Sequence, residues 1–370
     1  MNNAIGKPQV LREVNLSLIQ KLIFDKGPIS KPELSRISGL SLPTVNKLVD
    51  ELVKANYVAE AGLLGRGAGR RAMLFEANHN AGCFIALYYN WGKYQTCIAD
   101  LTGKMLFEGN YALDNSSGQA ALESTILAID SMLKKAPSEV RAIGVGVPGA
   151  VLPDGRLIGI PKIKVWEGYN LIEALSSHYS IPVCIENDVK LSAVGFYHTH
   201  VSSTFDNIVY IYAGNGMGSG IILNGRLYRG SSNFSGELGF MAPLSLTPNK
   251  EDYTSTGGYL EGLLRDFVLY EQKREHTPDH LYLEQLSGVL SGAIANYIAV
   301  LNPDAIILGG ETFNDKLIEL IVKKVSVYAP KSSMPEIIYD KNPKTGITGL
   351  VLFCLGEATI RTQLVQDLGV

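Results

Sequence analysis

Apolar positions in the first eighty residues fall at helical spacing. Leu11, Val14, Leu18 and Leu22 form one stripe with Ile19 and Ile23 beside it, and Gly27-Pro28 ends the run. Ser30 is placed to cap a short second helix, with Pro32 and Glu33 in its first turn and Leu34 and Ile37 on its apolar side. Gly39 makes a turn, and Ser41 caps a third helix with Val45, Leu48, Val49 and Leu52 on one face. Two short strands, 57–60 and 72–76, flank a glycine- and arginine-rich run at 62–71. From about Gly82 onward the pattern changes. Strands are predicted at 83–88, 94–100, 142–147, 183–186, 208–212, 220–223 and 305–308. Between and after them come predicted helices at 119–134, 171–178, 259–274, 283–301 and 315–327. Alternation of this kind predicts an α/β body with mixed sheets covered by helices. Whether it holds two similar halves stays open at this level.

Composition adds a division of labour. The 370 residues are 46% hydrophobic and 19% charged, which fits a folded chain of two or three domains. The net charge of −3 hides a split: residues 1–80 hold eleven basic and seven acidic side chains (+4), leaving 22 basic and 29 acidic (−7) for the rest. Such asymmetry points to an interaction module at the N-terminal end. Cys83, Cys97, Cys184 and Cys354 are scattered without a C-x-x-C pair, which excludes a disulfide scaffold or zinc ribbon and suits a reducing compartment. With no apolar run of about 18 residues and no secretory pattern at the N-terminus, a cytoplasmic protein without membrane contact is expected.

The second and third helices have the makings of a helix-turn-helix. Ser35 is small enough for the helix crossing, Gly39 can take a positive φ, and Leu40, Val45 and Leu48 supply the buried anchors. The third helix then presents Pro43, Thr44, Asn46 and Lys47 outward beside Ser41, short polar or cationic groups suited to base edges and phosphates. A helical hairpin without a DNA role has the same pattern. Arg66, Arg70 and Arg71 in the glycine-rich loop read as a wing for a minor groove or as a solvated linker. Helix-turn-helix and arginine loop together predict a DNA-binding head.

Several longer runs carry a family resemblance. GVGVPGAV (144–151), WEGYNL (166–171) and IPVCIEND (181–188) resemble the first lobe of a ROK protein. YAGNGMGSGIILNGRLYRG (212–230), SGELGF (235–240) and NPDAIILGG (302–310) resemble its second lobe. That family holds repressors and sugar kinases on an actin-like, two-lobed fold. The resemblance therefore implies a winged helix-turn-helix at 1–80, a first lobe at 81–195 and a second at 196–370, with the last helix a candidate to return to the first. It implies sugar contacts at Asn187, Asp188, Glu237 and Glu261, with Gly149 beside them and Asp188 matching the general base of the kinases. Independently, Asn187 and Asp188 end an apolar strand at its carboxyl edge, where α/β sheets place ligands.

Departures from the family pattern shape the expectation. The kinases' Asp-x-Gly-Gly-Thr phosphate turn falls here at Tyr88-Tyr89-Asn90-Trp91-Gly92, so the acid, both close-approach glycines and the threonine are replaced. The second glycine loop, 214–220, survives with Asn215 in place of threonine, although a tight turn would look the same. The family's zinc histidine is Phe240 here, and its three cysteines fall near Asp252, Thr254 and Tyr259, so no metal and no cofactor are expected. The pairs His198/His200 and His276/His280 read as solvated. Lys162, where many relatives have a sugar-facing asparagine, is either an exposed loop lysine or a contact for an anionic effector. The resulting expectation is a repressor, homodimeric or tetrameric, that binds a palindromic operator and answers to a sugar or sugar phosphate. The alternatives are an ATP-dependent sugar kinase that kept a DNA-binding head, and an interaction protein without a small ligand.

Overall fold

The computed structural model describes residues 8–64, 72–90, 92–160, 163–214, 216–241, 258, 260–262, 264 and 280–368. Its head comprises α1 (Pro8–Lys26), β1 (Ile29–Ser30), α2 (Lys31–Ser38), α3 (Leu42–Lys54), β2 (Val58–Leu64) and β3 (Ala72–Ala77). The strands form an antiparallel sheet in the order β1-β3-β2. Ser30 accepts the Glu33 N–H to cap α2, Gly39 closes that helix at φ 71°, and Ser41 accepts the Thr44 N–H to cap α3. Ile19, Ile23, Leu34, Val45 and Val49 are fully buried between the three helices and the sheet. One boundary moves. Gly62–Leu64, read as loop from their glycine and position, continue β2 past a bulge between Glu60 and Gly62.

The body holds two five-stranded sheets. The first is built from β4 (Cys83–Tyr89), β5 (Lys93–Asp100), β6 (Met105–Ala112), β7 (Val140–Val147) and, after the small β8 (Ala150–Val151) and β9 (Leu157–Ile158) ribbon, β10 (Val183–Asn187). Its order is β10-β7-β4-β5-β6, with α4 (Gly118–Leu133) and α5 (Leu171–His178) in the connections. The second sheet uses β11 (Ile208–Ala213), β12 (Met217–Leu223), β13 (Arg226–Leu227), β14 (Ala305–Gly309) and β15 (Glu336–Asp340) in the order β13-β12-β11-β14-β15. In each sheet the first strand pairs antiparallel with the next on one side and parallel with a later strand on the other. The two halves left open by the sequence are therefore a repeated topology.

The strands at the middle of each sheet are buried on both faces, which is why they read as continuous apolar runs. By contrast β6 alternates half-buried and exposed positions at a sheet edge and carries Gly109 and Asn110, so it went unpredicted. Between the sheets lies α6 (Asp188–Phe196), which follows β10 without a loop. Every residue of α6 from Val189 to Phe196 is buried, so it has no polar face to betray helical period. The second sheet is covered by α7 (His280–Leu301) and α8 (Asp315–Tyr328), and the chain closes with α9 (Thr345–Leu368). This last helix packs on β4 and β7 of the first sheet and crosses α6. Glycines let the two backbones touch there: a Cβ on Gly195 would lie 2.1 Å from the Thr345 carbonyl, and one on Gly349 1.8 Å from that of Leu191. The predicted helix at 259–274 falls almost wholly outside the described residues.

Candidate functional site

Between the carboxyl ends of the two sheets lies a cleft of about 370 Å3. The end of β10 supplies its first wall. Asn187 caps α6 by accepting the Lys190 N–H at 2.9 Å, and its amide donates to the Gly149 carbonyl at 2.9 Å and to Asp188 Oδ1 at 3.2 Å. Asp188 opens α6, where the positive end of the helix favours a carboxylate, and accepts the Val189 N–H at 2.8 Å. Gly149 sits at φ 85°, and a Cβ there would lie 2.6 Å from the Ile158 carbonyl. Only glycine lets the Gly149 carbonyl meet the Asn187 amide.

Glu237 and Glu261 come from the second half and line the same cleft. Gly236, at φ 90° and too close to the Ser219 carbonyl for any Cβ, delivers Glu237 against β12. Burial pushes the Glu237 carboxyl up to about 7; the Lys190 ammonium opposes this, and the nearby carboxylates of Asp188 and Glu261 add to it. Glu261 accepts the Met217 N–H. Phe240 joins the wall, edge-on to Phe234 at 5.2 Å between ring centres. The four carboxylate and amide side chains that the sequence singled out thus converge on one cavity with Gly149.

A supporting group was missed. Glu186, 3% exposed, accepts the Asn187 N–H at 2.9 Å through one oxygen and Arg229 Nε at 2.8 Å through the other. Lys190, 1% exposed, donates its ammonium to the Asn233 carbonyl, and burial lowers its pKa. Asn233 in turn donates to the Val151 carbonyl at 2.9 Å. These contacts tie the segment after β13 to the end of β10, across the cleft's back. The signal was present in the sequence: a glutamate near the end of an apolar strand, and a lysine between Val189 and Leu191 in a mostly apolar run, need partners once buried.

The opposite end of the cleft has a different character. Tyr88 and Tyr89 still belong to β4, and Asn90 and Lys93 exchange backbone hydrogen bonds at 2.8 and 3.3 Å across Gly92, which sits at φ 69°. The Tyr88 hydroxyl donates to the Asp188 carbonyl at 3.2 Å and lies 3.3 Å from Ser192 Oγ. Its ring fills the space beside Gly346 and Gly146, where any Cβ would collide with it. Tyr212 donates to Glu311 at 2.9 Å and Tyr210 to Asp340 at 2.8 Å. Burial raises the pKa of all three phenols, and the nearby carboxylates raise them further. The glycine run at 214–220 is only partly a loop, because β12 starts at Met217. Gly220 is required by packing, since a Cβ there would lie 2.4 Å from that of Ala193 on α6.

On the head, Ser41, Pro43, Asn46 and Lys47 are exposed along the start of α3, and Thr44 is half-buried with its hydroxyl 2.7 Å from that of Ser41. Ser35 Oγ donates to the Leu40 carbonyl at 2.6 Å, which locks the turn between α2 and α3. Asp50 and Glu51 of α3 are paired with Lys31 at 2.6 Å and Arg12 at 3.0 Å. Their charge is thereby offset near the surface that carries Lys47. Leu42, 41% exposed at the same helix end, was not singled out; an exposed leucine there offers apolar contact of the kind thymine methyls accept. Arg66, Arg70, Arg71, Trp91, Lys162, Asn215, Asp252, Thr254, Tyr259 and His276 lie outside the described residues. Among the described residues no group of three or more His, Cys, Asp or Glu side chains is arranged for a metal ion, and no helix is long and apolar enough to cross a membrane.

Comparison with known proteins matches both parts. A family model described as "ROK family" matches residues 91–252, and one described as "Winged helix-turn-helix DNA-binding" matches residues 15–59. The chain is 26% identical over 363 residues to a putative xylose repressor of Caldicellulosiruptor sp. (strain Rt8B.4), covering 87% of this chain and 91% of that one. It is 25% identical over 403 residues to the DNA-binding transcriptional dual regulator NagC of Escherichia coli (strain K12), covering 98% and 97%. Among solved structures, a ROK family transcriptional regulator described as a homologue of the E. coli MLC protein superposes with a TM-score of 0.76 at 20% identity, covering 96% and 99%.

Proposed function

The chain carries a ROK-family domain behind a winged helix-turn-helix DNA-binding domain, and on that premise we propose that it is a transcriptional repressor controlled by a sugar bound in the cleft. The observation that carries the reading joins the two sites. Both helices that start at the cleft run to the head: α6 opens with Asp188, and His198, just past its end, lies within electrostatic reach of Lys21 and Asp25 on α1. Similarly, α9 opens at the cleft with Thr345 and Gly346 and touches α1 farther along. A ligand that changes the cleft therefore acts at the start of two helices, of which α9 touches α1 of the head and α6 leads to His198 beside its charges. Only a ligand that binds the two lobe arrangements unequally shifts DNA affinity, so the sugar binds the DNA-competent arrangement less well.

In this reading Asn187, Asp188, Glu237 and Glu261 accept or donate hydrogen bonds to adjacent sugar hydroxyls, with Gly149 setting the floor. Ser41, Pro43, Thr44, Asn46 and Lys47 meet a major groove, and Arg66, Arg70 and Arg71 a minor groove. The protein acts as a homodimer or tetramer on half-sites about one helical turn apart. In this reading it transfers no phosphate: the run aligned with the phosphate turn begins at Tyr88, a β4 residue whose hydroxyl donates to the Asp188 carbonyl, and the Glu311 and Asp340 carboxylates line the same cleft. Asp188 then serves as a sugar contact instead of a base.

Fluorescence anisotropy with DNA from upstream of the chain's own gene tests the reading. Tight binding that a sugar releases is expected, with Asp188→Asn binding DNA normally but no longer releasing it. ATP-dependent phosphorylation of a sugar, abolished in Asp188→Asn, would establish the kinase alternative instead.

A further inference from the structure

The cleft extends well beyond the four sugar contacts. Its second chamber is formed by the carboxyl ends of β11, β14 and β15 together with the start of α9, and it is continuous with the first through Asp188 and Tyr88. Three tyrosines, Tyr88, Tyr210 and Tyr212, and two carboxylates, Glu311 and Asp340, set its chemistry. The lining ammonium described here, that of Lys341, is already shared, 3.3 Å from Asp315 and 4.9 Å from the centre of the Tyr339 ring. This surface is rich in hydrogen-bond acceptors, and its two carboxylates oppose an anion placed beside them. A polyol has the matching chemistry, because its hydroxyls can donate to the remaining lone pairs of the carboxylates and of the phenol oxygens, whose own protons are already given to Asp188, Asp340 and Glu311.

Size points the same way. The cleft's volume of about 370 Å3 is that of clefts that enclose whole small ligands, and its lining runs past the four sugar contacts as far as Glu311, Asp340 and Gly346. We propose that the second chamber is a subsite for a further sugar unit, so that the effector is an uncharged saccharide of at least two residues or an uncharged glycoside. This rests on the sugar-binding reading of the first chamber. Glu311 is the specificity-determining residue: it is exposed in the chamber and oriented by Tyr212 at 2.9 Å. It can therefore accept from a second-ring hydroxyl while one oxygen stays held.

Isothermal titration of the full-length chain tests this with matched series: xylose with xylobiose, glucose with cellobiose and maltose, and N-acetylglucosamine with its disaccharide. Glucose 6-phosphate and ATP serve as anionic probes. At least one disaccharide should bind tenfold or more tightly than its monosaccharide. Glu311→Ala should remove that preference while leaving monosaccharide affinity within twofold. Equal affinity for mono- and disaccharide in every series, a preference untouched by Glu311→Ala, or tighter binding of either anion would overturn the proposal. Failure of every saccharide to bind, together with wild-type-like behaviour of Asp188→Asn, would instead remove the sugar-binding reading on which it depends.

Discussion

Replacing Gly349 by alanine tests the crossing of the two helices that leave the cleft. On helix propensity alone the change should stabilise α9 by about 1 kcal/mol. The tertiary contact opposes it. The new Cβ would lie 1.8 Å from the Leu191 carbonyl oxygen, 2.7 Å from its carbon and 2.9 Å from the Gly195 nitrogen. All three are backbone atoms of α6, so no side chain can swing aside and the helices must separate by about 1 Å or more. Overpacking of this kind costs about 1–3 kcal/mol or more, and a clash with backbone belongs at the upper end. The net expectation is a loss of about 2 kcal/mol and a midpoint lower by about 4 °C. Gly356, on the same helix with open space where its Cβ would point, is the internal control: Gly356→Ala should raise the midpoint by about 2 °C. Scanning calorimetry of both variants beside the parent reads the two signs directly. If Gly349→Ala melts at or above the parent while Gly356→Ala behaves as stated, α6 and α9 do not touch as described. The coupling of cleft to head through their crossing would then fall with it.

Further outcomes follow from the two sites. Lys47→Ala should weaken DNA binding similarly for specific and unrelated sequences and make log affinity less steep in log salt by about one, whereas Asn46→Ala should cost about 1–3 kcal/mol on the operator alone. Competition titrations at several salt concentrations separate these effects; loss of operator preference in Lys47→Ala would reverse the assignment. Glu237, with its folded-state pKa raised to about 7 against an unfolded value near 4.5, contributes stability below the unfolded value and loses it as pH rises through 7. Glu237→Gln should therefore match the parent near pH 4.5 and become the more stable of the two above pH 8, by on the order of 3 kcal/mol. A stability difference that stays flat between those pH values would mean that the carboxyl is not buried as described. Arg229→Met leaves the Glu186 carboxylate buried without its cation, at a cost of about 2 kcal/mol given that Arg229 is itself a third exposed. Adding Glu186→Gln should recover most of that loss in chemical denaturation.

Much of the head was legible before any coordinates, because its determinants are local. A capping serine three residues before the N–H it accepts, a glycine at the positive-φ position that closes α2, and apolar residues at helical spacing are all decided within a single turn of chain. The polar side chains of the cleft were legible for a different reason: Asn187, Asp188 and Glu237 stand in runs that resemble a known family, and the end of a parallel strand is where such sheets bind ligands. What the sequence could not determine depends on groups far apart in the chain. Helix α6 lacked any visible period because two sheets and another helix surround it, leaving no face for polar residues. Arg229 and Glu186 are separated by 43 positions and meet only when the second half folds against the first. The glycines at 146 and 346 look like any others in sequence, yet they make the space that the Tyr88 ring occupies. Local backbone preference thus specified the DNA-reading surface, whereas the size and lining of the cleft were decided by packing between elements that no local interaction brings together.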